Sequence, residues 1–283
     1  MIGVFDSGSG GLSVWGELIL LKPEERYLYI SDAAFCPYGP KDPSEIIARS
    51  ISISNFLIKN GADIIVIACN TATAAAVETL RKKFKIPFVG MEPAVKPAAI
   101  NTKTGVIGVL ATKGTFKGNL YLNTSQRYAH DIKVIETVGE GLVETVERGL
   151  QDTPEAEALV RSYIEPMIEQ GADTVVLGCT HYPFLTPVIE RIAQGKLKII
   201  NPAPAVAKRA AELLEGVKAK RKGKSSEAQI PQSGNVIATT GKSFEVLKSL
   251  AGGILERIAE EGRLNDKQLQ PFYSQKFTNV EIL

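Results

Sequence analysis

A chain of 283 residues, 44% hydrophobic and 23% charged, has room for two domains and the composition of a soluble globular protein. A net charge of +2 argues against nucleic-acid and membrane partners, and no apolar run reaches the roughly 18 residues of a membrane span. Three cysteines, two histidines and neither a CxxC nor an HExxH motif argue against a disulfide scaffold and a metal centre and for a reducing cytoplasm.

The chain opens on the apolar run Ile2–Phe5, read as a buried strand that leaves no room for a signal peptide. A glycine-rich turn, Asp6-Ser7-Gly8-Ser9-Gly10-Gly11, follows, and then apolar residues at helical spacing from Leu12 to Leu21. With Tyr27–Ile30 as a second strand ending near Asp32, the turn invites comparison with a dinucleotide fingerprint. That fingerprint requires a glycine where Ser13 stands, so a nucleotide is not expected. Asp6 and Ser7 lie where a strand's carboxyl end meets a helix start, the usual ligand position in open α/β sheets. Trp15 and the Leu18, Leu20 and Leu21 group read as core or subunit contact. Cys36, on a loop, reads as a small hydrophobe.

Pro43 starts a helix that runs to about Asn60, and Gly61 ends it. A strand leads to Cys69, and Asn70-Thr71 opens an alanine-lined helix. Ile86–Gly90 is the next strand, with a helix or turn to Ile100. At Gly105 the pattern restarts. Val106–Leu110 is a strand, Phe116–Ala129 a helix, Ile132–Thr137 a strand, and Leu142–Glu147 leads toward a helix over Thr153–Gln170. A strand then ends at Cys179, Tyr182–Leu185 passes into a helix, and Leu197–Ile200 is a strand. Ala205–Leu214 is helical, Lys218–Lys224 with Ser225-Ser226 reads as a solvated linker, and Asn235–Thr240 as a strand returning to the first half. Phe244–Ile258 is a helix, and the tail from Arg263 is expected to be peripheral. His130 has no motif around it and is expected to be exposed or capping.

Two stretches repeat at a constant offset of 110 residues. Gly61-Ala62-Asp63 leads through aliphatic residues to Cys69, and Gly171-Ala172-Asp173 does the same to Cys179. Aligning Gly3 with Gly108 extends the repeat to the opening strands and sets Ala111-Thr112 against Asp6-Ser7. The expected fold is α/β: two similar domains with mainly parallel sheets, related by a pseudo-twofold axis, with the site in the cleft between them. The first is assigned residues 1–97 plus 208–283, the second 98–207. Each half then ends a strand and opens a helix at one thiol, where the helix dipole favours a thiolate. Two opposed thiols suit racemisation, in which a base removes a proton from one face of a carbon and an acid returns one to the other. His181 follows Cys179 by two residues, whereas Thr71 holds the matching place after Cys69. A metal on Cys69, Cys179 and His181 is the disfavoured alternative.

Gly3–Gly11, Pro37-Tyr38-Gly39, Ala68-Cys69-Asn70-Thr71 and Gly178-Cys179-Thr180-His181-Tyr182-Pro183 closely resemble the signature motifs of the bacterial glutamate racemase family, in order from the N-terminus to about Ala210. Aspartate racemases share the two-cysteine layout but usually carry an acidic residue where this chain has His181, and they lack the Phe-Asp-Ser-Gly opening. The resemblance implies interconversion of L- and D-glutamate without pyridoxal phosphate, metal or nucleotide, supplying D-glutamate for peptidoglycan, by a cytoplasmic enzyme expected to be a homodimer. It implies that Cys69 deprotonates the D-isomer and Cys179 the L-isomer. Asp6 and His181 match the groups that assist the thiols, and Ser7, Tyr38, Gly39, Asn70, Thr71 and Thr180 match substrate-binding positions. Glu147 falls where many members carry an assisting glutamate, with flanking residues less like theirs. Asp6 either accepts a proton or, like His181, contacts the substrate, in its case the ammonium group. Two readings compete with this one: an isomerase of another small acid such as aspartate, and a small-molecule binding protein without turnover.

Overall fold

The computed structural model describes residues 1–220 and 234–282. In chain order the first lobe begins with β1 (Ile2–Asp6), α1 (Leu12–Leu21), β2 (Tyr27–Ser31), α2 (Pro43–Lys59), β3 (Ile64–Ile67), α3 (Asn70–Lys83) and β4 (Phe88–Gly90), and α4 (Val95–Asn101) crosses over to pack on the second lobe. The second contains β5 (Val106–Ala111), α5 (Lys113–Phe116), α6 (Asn119–Tyr128), β6 (Lys133–Val138), α7 (Leu142–Glu147), α8 (Pro154–Glu169), β7 (Thr174–Gly178), α9 (Thr186–Ala193) and β8 (Lys198–Ile200). The chain closes with α10 (Ala203–Lys220), β9 (Val236–Thr239), α11 (Glu245–Glu260), α12 (Asp266–Tyr273) and β10 (Lys276–Asn279).

Both sheets are parallel throughout. One runs β10-β9-β2-β1-β3-β4 and the other β6-β5-β7-β8. Removing β9 and β10 leaves two sheets of identical connectivity, in which the first strand of each lobe lies between its second and third. The register carries the repeat as well. Gly3 pairs with Ile65 and Gly108 with Val175, and those partners are themselves 110 residues apart.

The duplication has local causes. Helix α2 starts at Asp42 followed by proline, and α8 at Thr153 followed by proline; in both, the cap side chain accepts a backbone N–H while proline presets the first turn. They end alike, on Gly61 at φ 91 and Gly171 at φ 90, a left-handed conformation that glycine adopts without a Cβ penalty. The next residue closes each cap, Ala62 N–H on the Leu57 carbonyl and Ala172 N–H on that of Met167. The two motif aspartates pin the approach to each first strand. Asp63 accepts from the Met1 amino nitrogen at 2.6 Å, and Asp173 accepts from the Thr102 hydroxyl and the Lys103 and Thr104 N–H groups.

A continuous apolar core runs from the α1, α10 and α11 side of the first sheet to the α8 and α9 side of the second, and smaller clusters cover the opposite faces. Trp15 and Leu18 belong to the core, whereas Leu21 is exposed. Among the described residues no helix is long and apolar enough to cross a membrane.

Several expectations are corrected. The helix over Phe116–Ala129 is broken into α5 and α6 by extended Gly118, which packs so closely on Ala74 of α3 that a Cβ there would lie 2.5 Å from the alanine Cβ. Leu142–Glu147 is a helix in its own right. The helix expected over Ala205–Leu214 runs from Ala203 to Lys220, so the first part of the basic run is helical and its residues from 221 on lie outside the described residues. The tail is not peripheral: α12 buries Leu269 and Phe272, and β10 extends the first sheet.

Phe272 is fully buried and meets Trp15 edge-to-face at 6.0 Å, with Tyr27 at the same distance. Phe272→Ala should therefore cost about 3–5 kcal/mol in a urea unfolding titration. An unchanged midpoint would mean that the tail does not belong to the core.

Candidate active site

The carboxyl ends of β1, β3, β5, β6 and β7 converge on a cavity of about 400 Å³. Nine of the eleven residues singled out from the sequence line it: Ser7, Tyr38, Gly39, Cys69, Asn70, Thr71, Cys179, Thr180 and His181. Asp6 and Glu147 stand behind them, each in contact with lining side chains. The sequence did not mark Lys113, Glu140 and Glu144, which also line the cavity, nor assign a role to Thr112, although the repeat had set it opposite Ser7. Thr112 Oγ1 lies 2.9 Å from Thr71 Oγ1, a hydroxyl contact that ties the two lobes at the cavity wall.

The two thiols have different surroundings. Cys69 caps α3, with its sulfur accepting the Ala72 N–H at 3.4 Å, and it lies 3.7 Å from the Ser7 hydroxyl. Burial pushes the Cys69 thiol well above its ordinary range, and nearby Asp6 adds to the effect; the Ala72 N–H and Ser7 hydroxyl oppose it without winning. The buried Asp6 carboxyl is itself raised by burial, against the pull of His181 and of its donors. Those donors are the Cys69 thiol and the Ser7 N–H, the latter at 2.6 Å, and the Thr180 hydroxyl also reaches the carboxylate at 3.2 Å. A raised carboxyl bears on the like-charge conflict between Asp6 and a thiolate, since a neutral carboxyl does not repel the sulfur.

Cys179 departs from the expectation that both cysteines open an α-helix. The chain after it makes a short 3-10 turn, Tyr182–Leu185, and α9 begins only at Thr186. Its assistance comes from a side-chain relay. The Cys179 sulfur lies 3.7 Å from His181 Nδ1, and His181 Nε2 lies 2.6 Å from Glu147 Oε1. Glu147 Oε1 also accepts the Ser9 N–H at 2.5 Å and the Ser9 hydroxyl at 2.8 Å. Burial works against a charged His181, but the contacts to Cys179 and Glu147 override it and raise the imidazole well above its ordinary value. Burial likewise works to raise Glu147, and His181 and Ser9 bring it below its ordinary value. The relay therefore reads as carboxylate, imidazolium and sulfur in line, with Nδ1–H donated to Cys179.

The glycine-rich turn has a steric role. A Cβ on Gly8 would lie 2.2 Å from Glu147 Oε1, and one on Gly10 would lie 2.4 Å from His181 Nδ1. The turn of the first lobe is the floor on which the relay of the second lobe rests. Asp32, which had suggested a nucleotide-binding acid, is occupied: it accepts Tyr38 Oη at 2.6 Å and Arg49 Nη2 at 2.7 Å. Arg49 also donates to the Ile282 carbonyl at 2.6 Å, so the tail helps to hold the Tyr38 wall. Asn70 Oδ1 is buried and unpartnered among the described residues, an acceptor left for a bound molecule. Cys36, read as inert, is brought against Glu147 and His181, the three donor atoms lying within 4.8 Å of one another. The Pro37-Tyr38-Gly39 motif follows Cys36 directly, but nothing in it points to a partner more than a hundred residues away.

A family model for Asp/Glu/hydantoin racemases matches residues 20–210. The chain is 49% identical over 215 residues to a glutamate racemase of Roseiflexus sp. (strain RS-1), covering 76% of this chain and 79% of the relative. It is 46% identical over 214 residues to a glutamate racemase of Ectopseudomonas mendocina (strain ymp), covering 75% and 81%. Among solved structures, glutamate racemase isoform RacE1 from Bacillus anthracis superposes with a TM-score of 0.75 at 33% identity, covering 90% of this chain and 94% of that one. The Escherichia coli glutamate racemase in complex with L-glutamate and the activator UDP-MurNAc-ala gives 0.77 at 28% identity, covering 100% and 98%.

The relay sets a pH window. His181 is raised, so its contribution to stability is complete below about pH 6.5 and is lost as pH rises through its folded value. Glu147 is lowered, so its contribution is present above about pH 4.5 and is lost as pH falls through its folded value. NMR of the ring nitrogens should find His181 still protonated above pH 6.5, and Glu147→Gln should move that midpoint down. A midpoint unmoved by Glu147→Gln would remove Glu147 from the relay.

Proposed function

The chain belongs to the Asp/Glu/hydantoin racemase family, and we propose that it interconverts L- and D-glutamate by passing the α-proton between Cys69 and Cys179. One observation carries the reading: two buried thiols, at matching ends of duplicated strands, line a single cavity and are assisted by different groups. Members of one family that share the fold and two-fifths or more of their residues act on glutamate, which supports the choice of substrate.

In the forward direction the Cys179 sulfur, as an anion beside the His181 imidazolium, removes the α-proton of L-glutamate. The electron pair passes into the substrate carboxylate as enolate character. With no electron sink in the amino acid itself, fixed donors must meet that charge, and the hydroxyls of Ser7, Thr71 and Thr180 with the Asn70 amide stand around the cavity to do so. The Cys69 thiol, kept neutral by burial, delivers its proton to the opposite face and gives D-glutamate. Raised Asp6 exchanges a proton with Cys69, and the reverse reaction runs the same steps backwards. Asn70 Oδ1 accepts from the substrate ammonium.

The proposal extends to the setting. Residues 1–97 with 208–283 form one domain and 98–207 the other, and a cytoplasmic homodimer supplies D-glutamate for peptidoglycan. Net charge of +2 is consistent with a small acidic substrate and with neither nucleic acid nor membrane as partner.

Cys69→Ser and Cys179→Ser should each lower racemisation at least about a hundredfold, followed by loss of optical rotation. Activity within about tenfold of the parent in either variant would refute the two-base assignment. Faster turnover of aspartate than of glutamate in the parent would favour the competing isomerase reading.

A further inference from the structure

We propose that Cys36, Glu147 and His181 form a binding site for a soft divalent cation such as Zn²⁺, and that its occupancy takes His181 out of the relay to Cys179. The first half stands on geometry alone; the effect on turnover rests on the racemase reading above.

The donors come from three segments: the turn after β2, the end of α7 and the turn after β7. A thiol, an imidazole nitrogen and a carboxylate oxygen within 4.8 Å of one another make a mixed set that suits zinc rather than magnesium or calcium, which prefer oxygen. The space between them exists because residue 8 is glycine, whose Cβ would lie 2.2 Å from Glu147 Oε1 and 2.9 Å from Cys36 Sγ. His181 is oriented for the task, since its other nitrogen is fixed by the Cys179 sulfur, the kind of outer contact that holds metal-bound histidines. Cys36 and Glu147 are half-buried, and Cys36 lies outside the lining of the substrate cavity.

The present 2.6 Å contact between Nε2 and Oε1 is a proton-sharing distance. Zinc with bonds of about 2.0–2.3 Å holds its ligands about 3.5 Å apart, so the ion takes the proton's place and the carboxylate draws back by about 1 Å. To do so the Glu147 side chain, 23% exposed, gives up its bonds from Ser9. The exchange balances: one ion enters, the Nε2 proton and the Cys36 thiol proton leave to solvent, and nothing is oxidised or reduced. His181 then sits as a metal ligand, parted from its carboxylate and no longer free to exchange protons alongside Cys179. Turnover falls in both directions, because both use Cys179, and a chelator restores it.

Co²⁺ titrated into the full chain reads the site directly. The parent should show a thiolate-to-cobalt charge-transfer band saturating at one ion per chain and displaced by Zn²⁺. Cys69→Ser should keep the band and Cys36→Ser should lose it. Without metal, Cys36→Ser should racemise within about twofold of the parent, which also shows that it folds, while the Zn²⁺ needed for half-inhibition rises at least about tenfold. A band that persists in Cys36→Ser, no band in the parent, or equal Zn²⁺ sensitivity in the two proteins overturns the proposal. If the parent turns over no glutamate, the band and its loss in Cys36→Ser still decide the site.

Discussion

The contact on which the site depends is the 2.6 Å approach of Glu147 to His181 over the first-lobe turn. It joins three segments that lie far apart in the chain, and it explains several features at once. The turn must be glycine-rich because the carboxylate and the ring press on it. Ser9 must follow Gly8 because its N–H and hydroxyl hold Glu147 in place. The ring must be buried so that the neighbouring charges, rather than water, decide its protonation. Removing the carboxylate would leave a buried imidazolium with one partner fewer, a costly arrangement for a ring almost wholly out of solvent.

The frame is duplicated and the chemistry is not. Two sheets of identical connectivity deliver Cys69 and Cys179 at corresponding strand ends. Sequence differences in the next few residues then separate their roles. Asn70-Thr71 continues directly into a helix, so Cys69 becomes a cap and is supported by an N–H and a hydroxyl. Thr180-His181 leads into a tight turn, so the imidazole folds back on Cys179. The result is a thiol held neutral by burial on one side and a sulfur set against a buried imidazole on the other, the unlike pair that proton transfer across a carbon requires. Both sulfurs are buried, and fixed dipoles act more strongly on them there than they would in water.

Much of this was legible in the chain. Apolar runs bounded by glycine and proline marked the strands, and the 110-residue offset marked the duplication. Cys69 and Cys179 were identifiable because the repeat made them equivalent, and His181 because it broke the equivalence. What escaped was long-range. Nothing near Cys36 signals that it meets Glu147, 111 residues away. Asp32 looked like a free strand-end acid because its partners Arg49 and Tyr38 come from other elements. The polar tail hid Leu269 and Phe272, since two apolar residues in a short helix leave little periodic trace. Helix breaks failed for a similar reason: Gly118 ends one helix and caps the next because of Ala74, a neighbour supplied by the other lobe.

The central claim is that two different thiols handle the two faces of the α-carbon. It is tested most directly by incubating L-glutamate with the protein in heavy water and analysing the earliest D-glutamate by mass spectrometry. A proton removed by Cys179 and replaced from Cys69 predicts solvent deuterium at Cα of the product, while unreacted L-glutamate keeps protium. D-glutamate that retains the substrate's own protium would mean that a single base carries the proton across, and would contradict the account.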